Sequence, residues 1–133
     1  RQSRLLGYSR FRTFGNRVFN AGFSLSAGRR LLDLGAGLNC YATRLLADRF
    51  YLGFADDLTF NYCMILAHCH LRHRFHFFPI SWSESDQISN VRLVSQARRA
   101  LGLLGRYRLS PSHFLASDHR AIPRDAYVWD ELE

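Results

Sequence analysis

Lysine is absent from the 133 residues, so all 18 basic side chains are arginine; against 11 acidic residues they give a formal charge of +7. The absence has chemical content. Arginine's planar two-pronged fork matches phosphate oxygens, so a surface of this kind suits diphosphates, lipid phosphates or nucleic acid, and charge alone does not choose among them. For scattered arginines a solvated face is the plainer account. Cysteine is scarce as well: Cys40, Cys63 and Cys69 form an odd set without framework spacing. That excludes a disulfide scaffold and points to unpaired thiols in a reducing compartment, read here as the cytoplasm. Long apolar runs are missing too. "YCMILA" (residues 62–67) stops far short of the roughly 18 residues a membrane-spanning helix requires, so any membrane contact is peripheral, at the inner face. There are no repeats and no low-complexity tract.

With 47% hydrophobic residues the chain supports one modest core, hence one domain or a piece of one. It opens on Arg1 with neither an apolar signal core nor the look of a chain start, and the expectation is a fragment whose N-terminal part lies upstream. Residues 10–26 read as a helix. Phe11, Phe14, Val18, Ala21 and Leu25 share one side, bordered by Arg10 and Arg17, while Phe19 and Phe23 fall elsewhere; such a helix is well buried or touches something greasy. Gly28 closes it. Residues 30–34 read as a short extended run, 41–49 as a short helix, and the segment from Asp57 as a core helix, apolar almost all round, with Asp57 as a capping residue type. "RFHFFPISW" (74–82) alternates and reads as a strand, with Pro79 pushing it to an edge. From Val91 to Tyr107 the helical pattern is cleanest: Leu93, Val94, Ala97, Ala100, Leu101 and Leu104 on one arc, Arg92, Arg99 and Arg106 on the opposite face. Residues 110–133 read as a loosely packed polar tail.

"LLDLGAGLNCY" (31–41) admits two readings. An apolar run, Asp33, then Gly35 and Gly37 begin as a methyltransferase cofactor loop does, and "YLGFADD" twenty residues on suits a ribose-binding strand end; the third glycine position, however, is Asn39. An S-adenosylmethionine-dependent methyltransferase therefore stays as an alternative. A basic module binding RNA or membrane through Arg92, Arg99 and Arg106 is a further one.

The favoured reading rests on five stretches in order. "FGNRVFN", "LLDLGAGLNCY", "ADDLTFNY", "FFPISW" and "SESDQISNVRLVSQARRALGLLGRY" together resemble the C-terminal half of family 2 inverting A-type glycosyltransferases, which include polyprenyl-phosphate sugar transferases. The likeness runs from about Tyr8 to Tyr107, and "PISWSESDQISNV" is its most specific element. The resemblance implies an α/β fold, the acceptor-side half of a nucleotide-diphospho-sugar transferase domain over residues 1–109, with helices packed on a short mixed sheet. It implies transfer of a sugar, with inversion, from a nucleotide-sugar donor to a lipid-phosphate or glycan acceptor, and not a nucleic-acid partner.

By the same resemblance Asp56 and Asp57 stand where the base stands. An acceptor hydroxyl must lose its proton as it attacks, and adjacent carboxylates raise at least one pKa, which helps a base. A phosphate acceptor is already ionised, and Asp57 then positions instead. Asp33, Gly35, Gly37 and Asn39 line the acceptor side. Trp82 offers a flat face to a sugar, and Glu84, Asp86, Gln87, Ser89 and Asn90 read its hydroxyls; a turn and a helix cap explain the same loop. Arg10, Arg12 and Arg17 sit near the diphosphate, where guanidinium groups stabilise charge on the leaving group. A divalent cation, Mg or Mn, is expected on an Asp-x-Asp motif before Arg1, so the chain alone is expected to be inactive. His68, Cys69, His70, His73 and His76 show some helical pair spacings but no zinc pattern, and read as boundary residues with no metal assigned.

Overall fold

The computed structural model describes residues 5–6, 10–35, 37–80, 82–83 and 93–122. In chain order they form β1 (Leu5–Leu6), α1 (Arg10–Ala27), 3-10 turns at Thr43–Leu46 and Phe50–Gly53, α2 (Phe60–His70), β2 (Trp82–Ser83), α3 (Leu93–Leu109) and α4 (Pro111–Ala116). The α/β expectation is overturned: the fold is helical. Among the described residues, extended pairing is limited to a parallel contact of Leu5 with Trp82 and Leu6 with Ser83, too short to carry a layer of helices. Neither 30–34 nor 74–80 is a strand.

α1 ends as its sequence says. Gly28 takes φ +64°, and Arg29 N–H donates to Ser24 O at 3.2 Å, the closure of a glycine-terminated helix. Ser24 then pins the reversing chain, its hydroxyl donating to Asn20 O at 2.5 Å and accepting from Leu31 N–H at 2.9 Å. Of the apolar sides of α1, the one that faces inward carries Phe23. Phe23 is 0% exposed and packs on Tyr62 with ring centroids 5.4 Å apart, whereas Phe14, Val18 and Leu25 face out. With apolar residues on both sides, the side able to build an aromatic contact won.

α2 is the centre of the molecule. Cys63, Met64, Leu66, Ala67, His68 and Cys69 are all buried, as an all-round apolar helix requires. Beyond it Arg72 takes φ +55°, and His73 N–H reaches back to His68 O at 3.0 Å, so the chain doubles back along the helix it has just left. α3 packs through Ala100, Leu103 and Tyr107. Leu101 and Val94, placed inward by the sequence pattern, are outside. Where a loose tail was expected, α4 forms with Pro111 in its first turn, a residue whose missing N–H costs nothing there. Its Phe114 enters the core against Tyr107, Phe54 and His119. No helix among the described residues is long and apolar enough to cross a membrane.

Candidate functional site

Two clefts share no lining residue. The first, about 540 Å³, opens between the Ala55–Thr59 segment and α3. Asp56, Asp57 and Thr59 form one wall; Arg98, Arg99 and Arg106, with Ser95 and Gly102 of the same helix, form the other, and His119 also lines the cleft. Asp57 does not cap α2 directly. Its Oδ1 accepts from Thr59 N–H at 2.7 Å and Thr59 Oγ1 at 2.5 Å, shaping the turn before the helix, while Oδ2 accepts from Arg99 Nη1. Asp56 Oδ1 accepts from the amide of Ala121 at 3.0 Å, which ties the segment after α4 to this wall.

These partners reverse the expected electrostatics. Burial pushes the Asp57 pKa up, but the Thr59 hydroxyl and amide and the Arg99 guanidinium outweigh it, and the carboxyl lies below its ordinary range. Asp56 is lowered as well, first by the Ala121 amide; repulsion from Asp57 is the smallest influence on it. The expected upward shift of one carboxylate is therefore corrected to two downward shifts, because hydrogen bonds to the ionised form outweigh burial and, at Asp56, the repulsion from Asp57. Both groups are ionised at neutral pH and are weak proton acceptors. Arg98 and Arg106 are exposed and form no ion pair among the described residues.

The second cleft, about 380 Å³, gathers Asp33, Asn39, Cys40, Tyr41 and Arg44 with His68 and the aromatic stretch from Arg74 to Phe78. Its loop follows no strand and opens no α-helix, which a methyltransferase cofactor loop requires. Gly35 N–H bonds Asp33 Oδ1 at 3.2 Å in a local turn, and Asn39 Nδ2 reaches Asn61 Oδ1 at 3.4 Å. A Cβ on Gly37 would meet nothing within 4 Å, and one on Gly35 only the Tyr62 hydroxyl at 3.9 Å. His68 is buried rather than at a boundary; its Nδ1 lies 2.8 Å from Nδ1 of His73, Tyr41 stacks on its ring, and its Nε2 has no hydrogen-bond partner among the described residues. Burial, then the neighbouring His73, lowers the His68 pKa. Among the described residues no group of three or more His, Cys, Asp or Glu is placed to hold a metal ion. The thiols are free, and burial pushes Cys63 up to about 11, leaving it unreactive.

The glycine loop and the aspartate pair, expected in one pocket, thus occupy separate clefts. Arg17 is exposed on α1. Glu84, Asp86, Gln87, Ser89 and Asn90 lie outside the described residues, as do the side chains of Arg10, Arg12 and Trp82. Sequence reasoning missed Thr59, Arg98 and His119. The Arg98–Arg99 doublet beside a periodic apolar arc was a usable signal for one of them, and a histidine in an apparently loose tail was none. The chain matches no protein-family model, no curated protein and no solved structure.

Proposed function

We infer that the cleft between Ala55–Thr59 and α3 binds the phosphate groups of a sugar phosphate or sugar diphosphate, and that the chain serves the acceptor side of a glycosyl-transfer enzyme. The observation that carries the reading is the pair Arg98 and Arg106: two guanidinium groups without ion-pair partners among the described residues, facing a wall of ionised carboxylates across an open cleft. Guanidinium forks bind phosphate oxygens in pairs, and the positive wall stabilises negative charge gathering on a departing diphosphate. Asp57, held ionised by Thr59 and Arg99, accepts a hydrogen bond from a sugar hydroxyl and orients it. A depressed pKa suits positioning better than proton removal, and so favours an acceptor that is already ionised, a phosphate, over a neutral hydroxyl.

Calorimetric titration with pyrophosphate and with a nucleoside diphosphate tests the reading. Binding is expected, and joint replacement Arg98→Gln and Arg106→Gln weakens it about tenfold or more, each exposed charge-assisted contact contributing on the order of 1 kcal/mol. Undetectable binding, or affinity indifferent to the double replacement, would refute it.

A further inference from the structure

α1 has two apolar faces and uses only one of them inside the molecule. Phe23 is in the core with Phe19 packed beside it, whereas Phe14, Val18 and Leu25 on the far side are 66%, 54% and 81% exposed. At the helical repeat Phe14, Val18, Ala21 and Leu25 fall within about 60° of arc and along about 16 Å of axis, a continuous stripe rather than scattered exposure. Isolated surface leucines need no explanation; a run of them along one helix does. The helix carries Arg10, Arg12 and Arg17 and no acidic residue. Arg17 is exposed and outside the ion pairs formed among the described residues.

We propose that this face docks on an anionic lipid bilayer, with Phe14, Val18 and Leu25 among the upper acyl carbons and Arg17 at the headgroup phosphates. The buried face of α1 is held against α2 through Phe23 and Tyr62, so the helix enters by one side only and lies in the plane of the surface. Charge selects the occupant. Pairing two copies through this stripe would bring together two helices of three arginines each, without a carboxylate to offset them, on chains of formal charge +7. An anionic bilayer has the complementary sign, and arginine binds its phosphates in two-pronged fashion. The inference stands apart from the cleft reading and does not depend on it.

The test is sedimentation of the whole chain with vesicles of phosphatidylcholine alone and of phosphatidylcholine with phosphatidylglycerol. Binding is expected to the anionic vesicles and to weaken with salt. The triple variant Phe14→Ser, Val18→Ser and Leu25→Ser, all outside the core, lowers partitioning roughly tenfold or more while circular dichroism keeps the helical signal. A second variant, Leu25→Trp, reports burial directly: its emission, after subtraction of the wild-type signal from Trp82 and Trp129, moves to the blue when anionic vesicles are added. Absence of binding to anionic vesicles overturns the proposal, as does equal binding to neutral ones or full binding by the triple variant. Unchanged Leu25→Trp emission at saturating lipid overturns it too. So does a dimer in sedimentation velocity that the triple variant abolishes, since the stripe is then a contact between copies.

Discussion

Replacing Asp57 by asparagine is expected to tighten anion binding in the first cleft, a sign opposite to that of most active-site replacements. Asp57 faces the cleft with a full negative charge and engages Arg99. The Asp57→Asn variant removes the repulsion and releases a third guanidinium to the anion. The magnitude follows from exposure: the two side chains are 30% and 61% exposed, so the effective dielectric lies toward that of water. A unit-charge interaction at contact distance there contributes about 1 kcal/mol. Loss of one repulsion and gain of one attraction give about 1–2 kcal/mol, a five- to thirtyfold tighter Kd for pyrophosphate at low ionic strength, shrinking as salt screens the exposed groups. The fold is expected to survive, because an amide oxygen still accepts from Thr59 and an exposed ion pair contributes no more than about 1 kcal/mol. Calorimetric titration of both proteins with pyrophosphate across a salt series is the assay. Equal or weaker binding by Asp57→Asn, with its melting temperature retained, would show that the anion does not sit against this wall.

Two further outcomes check the packing. Phe23→Ala, at a side chain 0% exposed, is expected to cost about 3–5 kcal/mol and lower Tm by roughly 10–20 °C, whereas Leu25→Ala, at 81% exposure, leaves Tm nearly unchanged; calorimetric melting of the pair tells which face of α1 is inside. His68 supplies the pH dependence: its folded pKa lies below the ordinary 6.5, so the unfolded chain binds the proton more readily. Stability is therefore full above about 6.5 and is lost as pH falls from there through the folded pKa, and urea midpoints for His68→Leu are expected to lose that part of the slope.

How far the chain was legible depends on what a pattern reports. α1 and α3 were readable because each sustains an apolar period for three turns or more, α2 because it is apolar almost all round, and Gly28 announced the end of α1. The strand expected at 74–82 was misread for an instructive reason. Its alternation is real: Phe75 and Phe77 are half-buried while Arg74, His76 and Phe78 are exposed. Alternation reports one buried face; it says nothing about a partner for the backbone. Here the lateral contacts come from Arg29, which donates to His73 O at 2.7 Å and lies over the Phe75 ring at 4.4 Å, in place of a neighbouring strand. An arginine 44 residues away in sequence leaves no trace in a local period.

α3 shows the same limit, with the larger consequence for function. The seven-residue spacing of Arg99 and Arg106 was visible, and so was the existence of an apolar arc. The arc's direction was not, since Leu101 and Val94 weigh as much in a periodic count as Leu103 and Tyr107. What decides between them is Phe114, a residue of the supposed tail, whose ring meets Tyr107 edge-on with centroids 5.6 Å apart. With that contact in place Leu103 and Tyr107 are inward and Leu101 is out. Arg99 and Arg106 then stand not on the far side of the helix but at the edge of its packed face, beside Asp57. The arginine wall of the cleft is thus a consequence of where α4 packs. Truncating Phe114 is accordingly expected to disturb anion binding along with stability, although its side chain is buried away from the cleft.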